Sequence, residues 1–149
     1  MTQTLTVTVG DLQGKMRLTG SGHTDARVAI DYPPPLGEDR GFTSIELLMV
    51  SLASCSSHSI KYVMGTMGME LGDIRATAVG QRRVDAHPTV LTGVALAWDI
   101  RGRGLERERV EAAIRRAEET YCPVWAMLKA SVPISWSFTL GEAGQSPKG

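Results

Sequence analysis

The chain has 149 residues, 42% hydrophobic and 21% charged, and its 16 basic and 16 acidic side chains give a formal net charge of zero. That length suits one domain with a real core, and the balanced charge offers no basic field to nucleic acid or an anionic membrane. The longest apolar stretch, 45–53, is interrupted by Glu46 and Ser51 and is too short to span a bilayer.

Residues 1–9 alternate polar and apolar side chains without a basic region or a long apolar run. They read as a strand rather than a secretory leader, so the expected location is the cytoplasm, where thiols are normally reduced. Short strands are predicted over 4–9, 14–20 and 26–31, with turns at Gly10–Gly14 and Gly20–Gly22. Tyr32 to Arg40 holds three successive prolines and Gly37 and reads as an extended connection. Thr43 or Ser44 then offers an N-cap, with Glu46 at the capping-box position if Thr43 is the cap.

A helix is predicted from 45 to about 67, apolar around most of its circumference in the first half, as for a helix enclosed by other structure. A second copy of the chain could supply that enclosure. Two longer strands follow at about 71–84 and 90–100, and in the second Val94, Leu96 and Trp98 face one way while Ala95, Ala97 and Asp99 face the other. Residues 105–120 form an amphipathic helix with Val110, Ala113, Ile114 and Ala117 as its apolar stripe. The interleaved Arg and Glu residues on its other side read as a solvated face. Pro123 starts a short helix to about 130, and 132–140 is the last strand. One domain over 1–140 is expected, with 141–149 a disordered tail. The order βββ-α-ββ-αα-β indicates an α+β fold with antiparallel sheet.

Two cysteines, Cys55 and Cys122, stand in distinctive frames. Cys55 closes the central apolar helix segment and is surrounded by Ser51, Ser54, Ser56, Ser57 and Ser59, with His58 one turn on. These hydroxyls and the imidazole could donate to a thiolate, or the serines could simply allow close helix packing while His58 faces solvent. Cys122 precedes Pro123, so it can occupy an N-cap where amide dipoles favour a thiolate, or it can fill the core. Peroxide reduction by a thiol requires a stabilised thiolate and then a second thiol to trap the sulfenic acid before it over-oxidises. A disulfide between the two would need their Cα atoms within about 7 Å. His23, His58 and His87 are not at metal-ligand spacing and there is no CxxC, so no metal or bound cofactor is expected.

Ile45-Glu46-Leu47-Leu48, then Leu52-Ala53-Ser54-Cys55, and Tyr121-Cys122-Pro123-Val124 in a late helix pair resemble the OsmC/Ohr superfamily of osmotically induced and organic hydroperoxide resistance proteins. The likeness covers roughly residues 5–140 and points to an OsmC-like branch. It implies an intertwined homodimer built around a long central helix, with active sites at the subunit interface. It also implies a thiol peroxidase for organic hydroperoxides, with Cys55 peroxidatic, Cys122 resolving, and an external thiol reductant, in some members a dihydrolipoyl protein. The resemblance further gives a helix-start Glu the task of holding an Arg beside the reactive Cys. In many members that Glu lies ten positions before the Cys, which is Ile45 here, whereas Glu46 lies nine before. Nine residues of straight helix place Glu46 about 13 Å along the axis and on the opposite face from Cys55. Catalytic acid and helix cap are therefore both open for Glu46. No Arg falls on the family's first-turn motif, and Arg17 and Arg40 are the nearest substitutes. The competing reading is a non-enzymatic dimer of the same fold that binds a small apolar ligand, or a redox sensor. Met64, Met67 and Met69 with Trp98, Trp125 and Trp136 are core residues or the lining of such a pocket.

Overall fold

The computed structural model describes residues 1–144. The chain divides into two compact units, Met1–Leu48 and Met49–Gly149, and the boundary falls inside the central helix.

The first unit is an antiparallel meander of β1 (Thr8–Asp11), β2 (Leu18–Ser21) and β3 (Arg27–Ile30). The first two strands are shorter than their sequence patterns. β1 starts four residues later than its pattern, and the β1–β2 turn takes the expected start of β2: Leu12 N donates to the Arg17 carbonyl at 3.1 Å, with Gln13 and Lys15 in left-handed conformations. Ile30 makes a parallel bridge to Phe42, closing the loop that follows β3. That loop is folded around Asp31, which has no solvent exposure and whose carboxylate accepts from the amides of Tyr32, Glu38 and Arg40 at 2.8, 3.1 and 3.1 Å. A Cβ at Gly37 would collide with the Tyr32 carbonyl and the Asp31 carboxylate, so only glycine closes this loop.

Helix α1 (Ser44–Thr66) starts at a capping box. Glu46 Oε2 accepts from the Thr43 amide at 2.7 Å and the Thr43 hydroxyl at 2.9 Å, while the Glu46 amide donates back to Thr43 Oγ1 at 3.3 Å. At the other end Arg109 donates to the Met67 carbonyl at 2.6 Å. Leu52, Ser56, Ser59, Ile60, Val63 and Met64 form its buried stripe.

The second unit continues with β4 (Glu70–Arg82), β5 (Leu91–Arg103), α2 (Arg107–Arg116), α3 (Pro123–Leu128) and β6 (Ile134–Gly141), the sheet order being β4-β5-β6. β4 and β5 pair antiparallel, but β5 and β6 pair parallel, from Val94↔Ile134 to Arg101↔Gly141. The antiparallel sheet expected from the sequence holds for β1–β3 and for β4–β5, and β6 departs from it. The helical segment between β5 and β6 is long enough to return the chain to the same end, which is what a parallel pair requires. β5 alternates as its sequence implies: Val94, Leu96, Trp98 and Ile100 are buried, Ala95 and Ala97 exposed. The α2 stripe of Val110, Ala113 and Ile114 is fully buried, each larger side chain contributing about 1.5–3 kcal/mol.

The predicted helix over 105–120 does not end as an α-helix. Ala117–Tyr121 is a π-helical turn in which the Cys122 amide donates to the Ala117 carbonyl at 2.9 Å. Gly141 closes β6, and residues 145–149 of the expected tail lie outside the described residues.

Candidate active site

Both cysteines lie in the second unit as free thiols, and the Cys55 side chain is near enough to Cys122 to raise its pKa. α1 presents Cys55 half-buried beside its apolar stripe. The π-helical turn delivers Cys122, 2% exposed, to the N-cap of α3, where Pro123 takes the first turn and Cys122 Sγ accepts from the Trp125 amide at 3.4 Å. The N-cap placement therefore matches the sequence pattern.

Its electrostatic consequence does not. The Cys122 thiol is pushed up from an ordinary 9.0 to about 11, chiefly by burial, and further by the hydrogen bond to Cys55 and the Cys55 charge. The Trp125 amide and the Ser59 hydroxyl oppose this and lose. Desolvation thus outweighs the helix-terminal amide that the sequence had suggested would favour a Cys122 thiolate.

Most of the serines around Cys55 turn back onto their own helix. Ser54 donates to the Ser51 carbonyl, and both Ser56 and Ser57 donate to the Ala53 carbonyl. Ser57 also accepts from Trp98 Nε1 at 3.2 Å, tying α1 to β5. Ser59 donates to the Cys55 carbonyl at 3.0 Å, and its hydroxyl also favours the Cys122 thiolate. His58 is exposed. Behind the thiols Trp125 packs against Trp98 with ring centroids 5.7 Å apart, and its buried indole N–H has no partner among the described residues. Tyr62 and Tyr121 pair at 5.2 Å, with Arg116 5.8 Å over Tyr121. Tyr121 belongs to the motif around Cys122, whereas Tyr62, two helical turns beyond Cys55, had drawn no notice in the sequence.

The remaining candidates belong to the first unit. Glu46 spends its carboxylate on Thr43, whose amide and hydroxyl hold it below the usual range for a glutamate. Arg17 and Arg40 both approach Glu38, at 4.0 and 3.8 Å, with the Arg17 side chain the more enclosed of the two. Asp31, which no sequence feature singled out, is opposed by burial but held below the usual range by its three amides and Arg17. Among the described residues no cluster of His, Cys, Asp or Glu could hold a metal ion, and no helix is long and apolar enough to cross a membrane.

Comparison with known proteins agrees with this architecture. The family described as OsmC-like protein matches residues 37–137. Protein YhfA of Escherichia coli K12 is 25% identical over 105 residues, covering 70% of this chain and 78% of YhfA. The OsmC-like protein from Mycoplasma pneumoniae superposes with a TM-score of 0.82 at 17% identity, over 94% of this chain and 99% of that one. An organic hydroperoxide resistance protein from Elizabethkingia anophelis superposes at 0.75 and 16% identity, over 95% and 99%. At these identities the superpositions speak for the fold, and the family match speaks for descent: the chain belongs to the OsmC-like protein family.

Proposed function

We propose that this protein reduces organic hydroperoxides with a thiol pair, Cys55 attacking and Cys122 resolving. The observation that carries the reading is the pairing of a half-buried Cys55 with a buried Cys122 whose pKa it helps to raise. It leaves Cys55 as the half-exposed nucleophile and Cys122 as a protected reserve. The Cys55 thiolate takes the outer oxygen of the hydroperoxide, the O–O bond breaks, and the alkoxide leaves as alcohol with one proton. The Cys55 sulfenic acid is then attacked by Cys122, whose proton leaves with the hydroxide as water, and a disulfide forms. An external dithiol gives up two electrons and two protons to restore both thiols. The hydroperoxide-resistance function of the Elizabethkingia protein points the same way.

A homodimer is part of this proposal. Within the second unit Val50 of α1 and Val79 of β4 are 46% and 53% exposed, apolar surface that a second copy would cover. The competing reading, a binder of small apolar ligands, has one observation of its own. A trough of about 440 Å³ on the first sheet is lined by Val7, Val9, Val28, Ile30 and Leu47. The experiment that separates them adds one equivalent of an alkyl hydroperoxide to the reduced protein and counts free thiols. Loss of both thiols per peroxide consumed, followed by turnover with a dithiol, is expected. Full thiol retention would overturn the peroxidase, and oxidation without turnover would make the pair a sensor.

A further inference from the structure

The two edges of the second sheet are built differently. β4 carries the charged residues Glu70, Asp73, Arg75 and Arg82 and is broken by register shifts at Leu71/Asp73 and Gln81/Arg82, devices that keep other strands away. β6 has none of them: its eight residues hold no charge and no proline, and its register with β5 is uninterrupted. Its outer edge has no ladder partner among the described residues.

That edge borders an open groove of about 490 Å³. One wall is five successive β6 residues, Ile134 to Phe138, and the other is Arg107, Glu111 and Arg115, a four-residue-spaced stripe of α2. Four strand steps and eight helical steps are each about 12–13 Å, so the walls run the same length, enough for about four residues of extended chain. Each arginine sits over an aromatic ring, with Arg107 Cζ 4.6 Å from the Phe138 centroid and Arg115 Cζ 5.3 Å from that of Trp136. Stacking in this way fixes a guanidinium while leaving its N–H edge free to meet a carboxylate. Arg115 already bonds Glu111 at 2.8 Å, so Arg107 is the better placed of the two to take an added acid.

We propose that the α2–β6 groove binds an extended acidic peptide segment of a partner protein. The peptide adds as a fourth strand to β6 and sets a carboxylate on Arg107. Backbone pairing with the edge supplies affinity, and the arginine supplies register and charge selection. This site is independent of the thiol pair.

The test titrates the full chain with a fluorescein-labelled hexapeptide of alternating valine and threonine carrying one central glutamate, read by anisotropy and by backbone amide shifts. Saturable binding is expected, with shifts centred on 134–138 and 107–115. Arg107→Glu should weaken it about tenfold or more, as for loss of a charge-assisted pair. The same peptide with lysine for glutamate should bind Arg107→Glu better than wild type, and N-methylation of alternate peptide amides should abolish binding. No saturable binding, shifts elsewhere, or indifference to Arg107→Glu would overturn the proposal. So would a change in oligomeric state on Arg107→Glu, because the edge would then belong to a second copy.

Discussion

The two units are held together by opposite means. In the first, the one fully buried large side chain is a charged one, Asp31, and the fold there depends on three amides and a guanidinium gathered around it. In the second, every one of the largest fully buried side chains from Leu52 onward is apolar except Ser56, with Trp98 and Trp125 at the centre. The difference bears on the chemistry. Both groups are desolvated, but at Asp31 the surrounding amides overcome burial, whereas at Cys122 burial wins and the thiol holds its proton more tightly.

The sharpest way to break this comparison is to remove the sulfurs. Cys55→Ser is expected to abolish peroxide turnover. Cys122→Ser should retain a single oxidation event and lose recycling by dithiols, as measured by peroxide consumption with dithiol and monothiol reductants. Equal activity in both variants and wild type would end the mechanism. Next in size, Trp125→Ala should cost about 3–5 kcal/mol in chemical denaturation, a core-cavity effect. Asp31→Asn should act locally instead, speeding amide exchange of Glu38 and Arg40 about tenfold while leaving the thiols' reactivity intact.

The pH dependence sharpens the comparison further. Because burial raises the folded Cys122 pKa, its contribution to stability is fully present below 9.0 and is lost as pH rises from there through about 11. Thermal melts between pH 8 and 11 should show that decline, and Cys55→Ser should move it to lower pH by removing two of the raising causes. The smallest effect concerns Glu46. Its pKa is lowered, so its capping contribution is present above its ordinary 4.5 and is lost as pH falls through the depressed value. Glu46→Ala should cost about 1 kcal/mol, typical of a lost cap, and leave turnover nearly unchanged. A large drop in kcat/KM with stability intact would make Glu46 catalytic.

Much of this was legible from residue order. Strict alternation marked the buried side of β5, and the spacing of Val110, Ala113 and Ile114 marked that of α2, because each pattern has a single structural period to satisfy. Thr43 and Glu46 announced their reciprocal bonds three positions apart. Asp31 could not be seen, since its importance comes from amides up to nine residues away that only the folded loop gathers. The one available hint was Gly37 within a proline-rich loop. The parallel β5–β6 pair was also hidden, because alternation gives a strand's faces and not its direction. For Cys122 the chain showed the neighbouring Pro123 but not the depth of burial, so it revealed the weaker of two competing effects.

The wide turn before Cys122 has a consequence of its own. In an unbroken α-helix, position 122 would point about 140° around the axis from Ala117, away from the side that faces the core. With each hydrogen bond reaching one residue further, the segment turns less per residue and brings position 122 back toward the side of Ala117, carrying the second sulfur inward. Losing a single residue from Ala117–Tyr121 would leave both sulfur atoms in the molecule yet turn one of them out of reach. Here the length of the backbone between two landmarks matters as much as the identity of either.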